Sequence, residues 1–156
     1  MQKIKKLPSN KLCRLSSFLY HACEEFENVA KQIKEKEIKM SVRSVAVETR
    51  QYLGELNSQL KMLRVINTLP RINNNEGIKS KLVRNKKITD KKIIELCCNS
   101  EVFFEKAYGS ILKEYFPYTG LRDVLRYQLK GIKDAFKQLK LLKSVMTSET
   151  TFSPVL

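Results

Sequence analysis

The sequence predicts an all-α fold, a bundle of four long helices, and three observations carry that prediction. Glycine and proline are sparse, 5 and 4 in 156 residues, so turns are few and the elements between them long. Four stretches repeat apolar residues at steps of three and four, the period of a helix that buries one face. The segments between them hold charge, proline or asparagine and continue none of the seams. The length suits one domain, on the usual scale of roughly 100–200 residues each. The four patterns place that domain at residues 1–146, with 147–156 as a flexible polar tail.

The first helix is expected over about 9–35. Pro8 and Ser9 mark its start, with Ser9 as N-cap. Leu12, Leu15, Leu19, Ala22, Phe26, Val29 and Ile33 then keep strict three-four spacing, the seam of a helix in left-handed bundle packing. The period dissolves into alternating charge at Lys34–Lys39, and a short connection there makes the second helix an antiparallel neighbour. Ser41 is the expected cap of that helix, over about 41–65, whose face is Val42, Val45, Thr49, Tyr52, Leu56, Leu60 and Leu63. From about Ile66 to Ile88 the pattern stops at Pro70, Asn73–Asn75 and Gly77, followed by Lys79, Lys81, Arg84, Lys86 and Lys87. This reads as a long connection between the second and third helices. About twenty extended residues at ~3.3 Å each outreach a helix rising ~1.5 Å per residue, so the third helix can run parallel to the second.

The third helix, about 89–115, is capped by Thr89 or Asp90 and ends before Pro117. Ile93, Cys97, Phe104, Tyr108, Ile111 and Tyr115 form its seam, and Glu101 takes the slot between Cys97 and Phe104 where an apolar residue belongs. The fourth helix, about 119–145, starts at Thr119 and buries Leu121, Val124, Leu125, Ile132, Ala135, Leu139 and Leu142, with Gln128 inside that face. A carboxylate and an amide set into apolar seams need partners. The expectation is a polar core layer of Glu101, Gln128, Gln51 and Tyr108, in which Glu101 bonds Gln128, Tyr108 or Tyr52 and fixes the helix register. Tyr52, Tyr108, Tyr115 and Tyr127 are expected in the core or at its edge. Phe103, Phe116 and Phe136 are expected beside the seams, where an oligomer contact would form.

Thirty basic against sixteen acidic side chains give a net charge of +14, which favours polyanions. On the fourth helix Arg122, Arg126, Lys130, Lys133, Lys137 and Lys140 step by three or four into one cationic stripe. With Lys79–Lys92 and Lys3–Lys6 it makes a candidate surface for nucleic acid or anionic lipid. No aromatic side chain is read as interleaved among these lysines, so phosphates and not bases would be read. Cys13, Cys23, Cys97 and Cys98 form no CxxC pair and read as small core residues. No apolar run approaches the roughly 18 residues of a membrane span, and the basic start is followed by no signal-peptide pattern, so the expected location is the cytoplasm, with reduced thiols. No Gly-rich phosphate loop is present, and with His21 the only histidine no catalytic residues are read.

Four segments carry a resemblance: ACEEFENVA around Glu25, ETRQYLGEL from Glu48, SEVFFEKAYGSIL around Glu101 and LRYQLKGIKDAF around Gln128. Over roughly Lys11–Val145 the chain resembles the ferritin-like superfamily, and within it a small bacterial family of stress-associated four-helix bundles. The resemblance implies a ferritin-like four-helix bundle with the long connection between its second and third helices. Metal-binding members of that class place Glu on the first and third helices and Glu-x-x-His on the second and fourth. Glu25, Glu48 and Glu101 match three of the Glu positions, whereas Gln51 stands for the first His, Gln128 for the last Glu and Gly131 for the second His. The implied diiron set is therefore incomplete, with His21, one turn from Glu25, as an added candidate ligand.

Three functions follow as expectations. The first is a non-catalytic ferritin-like bundle of stress-related role, without a cofactor, acting as an interaction module toward a protein partner or a second copy. The second is a degenerate iron or manganese site of Glu25, Glu48, Glu101 and His21 in an oxidoreductase or iron-handling protein. The third is a polyanion binder using the stripe on the fourth helix and the central loop.

Overall fold

A computed structural model describes residues 7–65 and 88–151, over 147–151 as backbone alone. Among the described residues the chain is all-α: α1 Ser9–Gln32, α2 Lys36–Met62, α3 Asp90–Asn99, α4 Glu101–Leu112 and α5 Thr119–Thr151. Each helix is amphipathic, and the seams pool into one core that runs from Leu12, Leu15 and Leu19 on α1 to Leu125, Ile132 and Leu139 on α5. No helix among these residues is long and apolar enough to cross a membrane.

Side-chain bonds between helices fix their directions. Ser16 Oγ donates to Asn57 Oδ1 at 2.6 Å and Arg50 pairs with Glu27 at 2.7 Å, so α1 and α2 are antiparallel. Lys11 bonds Glu114 at 2.9 Å, while at the other end of α1 the Asp90 carboxylate accepts from the amides of Lys34 and Glu35 at 3.0 and 2.9 Å. Hence α3 and α4 run antiparallel to α1 and parallel to α2. Glu101 on α4 meets Lys140 on α5, and Tyr108 meets Gln128, so α5 returns antiparallel. The order is up, down, down, up, and α2 ends at the opposite end of the bundle from the start of α3. The connection expected there, with its Lys79–Lys87 cluster, falls outside the described residues, as do Lys3–Lys6 and 152–156.

Several boundaries differ from those the sequence predicts, each for a local reason. α1 ends at Gln32 and α2 already begins at Lys36, not at Ser41. Ile33 and Ile38 are both buried, which pulls the charged stretch between the helices tight, and Asp90 from α3 accepts from the amides of Lys34 and Glu35 just ahead of the α2 N-terminus, while Ser41 lies inside the helix. α2 stops at Met62, where Arg64 adopts a left-handed φ of 58°. The amides of Arg64 and Val65 return to the carbonyls of Lys61 and Leu60, the paired bonds of a Schellman ending built without its usual glycine.

The expected third helix is two helices meeting at Ser100. Its hydroxyl and its amide both donate to the Cys97 carbonyl, at 2.6 and 3.1 Å, so the ladder tightens there. Thr89 caps α3 by accepting from the Lys92 amide at 3.2 Å. α4 stops at Leu112, and Tyr115 beyond it is 68% exposed. Residues 147–151, expected as tail, continue α5 because no glycine or proline interrupts them.

Phe116 and Phe136 lie in the core, not beside the seams. Phe136 packs edge to face on Phe26 and Phe104, with centroids 6.1 and 5.4 Å away. Phe116 folds under the α4–α5 turn, where the Arg122 guanidinium stands 4.9 Å from its ring. Phe103 alone of the three stays exposed.

Candidate functional site

The polar centre of the bundle is built on α2, α4 and α5 at the level of Gln128. This side chain is fully buried, and its amide is fully employed. Tyr108 on α4 donates its hydroxyl to Gln128 Oε1 at 2.8 Å, while Gln128 Nε2 donates to the Tyr52 carbonyl at 3.1 Å and to Glu55 Oε1 at 3.2 Å. The Tyr52 carbonyl and the Glu55 carboxylate can only accept, which fixes the orientation of the amide. Gln128 thus ties three helices at one register.

One turn along α5, Tyr52 closes the layer toward solvent. Its hydroxyl donates to Glu48 Oε1 at 2.9 Å and its ring meets that of Tyr127 edge to face at 6.2 Å. The phenol presses on the backbone of Gly131, where a Cβ would stand 1.9 Å from the Tyr52 hydroxyl oxygen. Burial first, then the bond to Glu48, pushes the Tyr52 phenol well above its ordinary value, and burial does the same for Tyr108. Both therefore stay protonated as donors at neutral pH.

Only part of the expected layer assembles. Gln128 and Tyr108 meet by a direct bond. Glu101 stands apart from them: it lies at the α4–α5 edge, its side chain 12% exposed, and bonds Lys140 instead of Gln128, Tyr108 or Tyr52. A lysine within reach on the neighbouring helix is a better counterpart for a carboxylate than a neutral amide deeper in the core. Gln51 is exposed because Tyr52 takes the inward position beside it. Glu55 joins the network although its spacing did not single it out, and Tyr127, expected in the core or at its edge, stands against Tyr52 with 63% of its surface exposed. Gly131, a glycine inside the seam of a long helix, was the one signal of close approach there.

The candidate metal ligands do not converge. Glu48 is bonded by Tyr52, Glu101 by Lys140, and Glu25 is half-buried on α1. His21 is edge to face with Tyr20 at 5.4 Å, and its Nε2 is buried without a hydrogen-bond partner. Among the described residues no three His, Cys, Asp or Glu side chains group as a metal site would require. Gly131 offers no donor, and the room an imidazole would need is filled by the Tyr52 phenol. The donor set does not fit a diiron centre. Phe18, Phe26, Phe104 and Phe136 pack edge to face through the interior at centroid separations of 4.9–6.3 Å.

The four thiols are buried, and burial raises the pKa of each, so none is poised as a thiolate nucleophile.

The stripe on α5 is not uniform. Arg122 turns inward and donates to the carbonyls of Glu114 and Leu112, closing the C-terminus of α4. Lys140 is held by Glu101 and Arg126 sits 3.4 Å from Asp123. Lys130, Lys133 and Lys137 are exposed and make no ion pair among the described residues.

What fold and site together define is an all-α bundle with an aromatic interior, one satisfied polar layer and a basic outer face. No family model matches the chain, and neither a curated protein nor a solved structure matches it.

Proposed function

We propose that this chain is a non-catalytic, ferritin-like four-helix bundle that acts as an interaction module, working through its surface. The observation that carries this reading is the filling of the bundle centre by Phe26, Phe104 and Phe136 and by the Tyr108–Gln128 bond, at the depth where a diiron bundle needs converging carboxylates and imidazoles. The up, down, down, up course of the helices supports the ferritin-like part. The stress-related setting rests on the resemblance of the four helical segments. The test is elemental analysis after anaerobic exposure to ferrous iron and to manganese, with thermal melts in the presence and absence of chelator. No stoichiometric metal and an unchanged melt are expected. Stoichiometric metal that disappears in Glu48→Gln and Glu101→Gln would overturn the reading and favour iron or manganese chemistry.

Lys130, Lys133 and Lys137 favour a second reading, in which the surface at work is this basic one and the partner a polyanion such as nucleic acid or an anionic membrane. Three phosphate contacts on duplex DNA give a slope of log affinity against log salt of about −2.7. Reversal of the three lysines to glutamate is expected to abolish binding; unchanged binding would remove this reading.

A further inference from the structure

A groove of about 720 Å³ opens between α2 and α5, lined by Met40, Ser41, Ser44, Glu48, Tyr52 and Tyr127, and on the α5 side by Lys130, Gly131, Asp134, Ala135 and Gln138. Its volume lies in the range of small-molecule sites, roughly 300–1,000 Å³, and is far larger than an inorganic ion needs. Its floor is fixed. The Tyr52 phenol, 3% exposed, bonds Glu48 and rests on Gly131, so the carboxylate is held by a buried partner while one side of it faces the groove. Tyr127 forms a wall, its ring set against Tyr52 and 63% exposed.

Two acidic side chains stand at this groove. In a chain of net charge +14, Glu48 and Asp134 both line it, and neither makes an ion pair among the described residues. Lys130 at the same groove is more than 4 Å from either, since no bridge forms within that limit. Two carboxylates are too few to hold a divalent ion without further ligands. Beside an aromatic face and the apolar Met40 and Ala135, they suit an organic ammonium ion with an aliphatic stem.

We propose that the α2–α5 groove binds a small alkylammonium ligand, its nitrogen between Glu48 and Asp134 and its methylene stem along Tyr127 and Met40. Ser41, Ser44 and Gln138 supply further acceptors for its N–H groups. Lys130 opposes the ligand, which gives the proposal a sign that a merely sticky surface would not reproduce. The site is independent of the bundle's reading as an interaction module.

The test uses the whole chain and butane-1,4-diamine as probe, by titration calorimetry and by NMR shifts of Tyr127, with butane-1,4-diol as the uncharged control. Saturable binding of the diamine and none of the diol are expected. Asp134→Asn and Glu48→Gln should each weaken binding about tenfold, the effect of one lost charge-assisted contact. Tyr127→Leu, at an exposed position that leaves the fold intact, should weaken it about threefold. Lys130→Gln should strengthen it. No saturable binding of the diamine, equal binding of the diol, affinity unchanged in Asp134→Asn, or weaker binding in Lys130→Gln would each overturn the proposal.

Discussion

The hydroxyl of Tyr52 occupies the space that a side chain at residue 131 would need, so the α2–α5 contact exists in this form only with glycine there. A Cβ at Gly131 would lie 1.9 Å from the Tyr52 hydroxyl oxygen, 2.9 Å from the ring carbon that bears it, and 3.4 Å from Glu48 Oε1. The phenol is rigid and packed, so the helices must part or Tyr52 must turn.

Gly131→Ala should therefore destabilise the protein by about 1–2 kcal/mol, the usual overpacking cost less the gain in helix propensity. The same substitution in a Tyr52→Leu background should cost much less, because the obstructing phenol is gone. Denaturant unfolding of the four proteins of this cycle gives the coupling. Equal costs in both backgrounds would show that the contact does not limit the α2–α5 approach.

Tyr108→Phe should cost about 1–3 kcal/mol, because Gln128 Oε1 loses its donor in a fully buried setting. Gln128→Leu should cost a similar amount by stranding the Tyr108 hydroxyl, while the Tyr52 carbonyl, inside α2, keeps its place in the helix ladder. The double variant should lose less than the sum, since it removes donor and acceptor together. Additive losses in urea unfolding would mean that this hydrogen bond contributes no coupling.

Arg64 holds a left-handed conformation at the end of α2 that costs a non-glycine residue about 1 kcal/mol. Arg64→Gly should raise stability by about 0.5 kcal/mol once the greater freedom of glycine in the unfolded chain is counted. A shift of the urea midpoint to higher concentration at constant slope is the expected observation.

The phenols of Tyr52 and Tyr108 have raised pKa values in the folded protein, by burial above all, so folding favours their neutral forms. Their contribution is complete below the unfolded value of about 10 and is lost as pH climbs beyond it. Unfolding midpoints should accordingly hold between neutral pH and about 9 and fall above about 10. In Tyr52→Phe/Tyr108→Phe the alkaline fall should be shallower than in the parent, relative to each protein's own stability at pH 8. Parallel profiles would show that other groups set the alkaline limit.

The seams were legible because helical period is a local property. Leu12 to Val29 on α1, Val42 to Leu60 on α2, and Leu121, Leu125, Ile132 and Leu139 on α5 are buried as their spacing selects. The ends were less legible, since their polar partners come from elsewhere in the chain: Asp90 accepts from the amides just ahead of α2, and Arg122 closes the end of α4. Glu101 shows the same limit. Its place in a seam signalled a buried acid in need of a partner, but the partner, Lys140, lies 39 residues on and was read as part of a surface stripe.

By itself the sequence determined that this protein is all-α, with helices whose apolar faces repeat every three to four residues, because that period fixes which side of each helix must leave water. Tertiary structure alone decided which polar groups meet. Whether Gln128 faces Tyr108 or Glu101, and whether Gly131 leaves room for an imidazole or receives the ring of Tyr52, depends on the rotation and offset of one packed helix against another. Those are set by the whole core at once and by no local stretch of the chain.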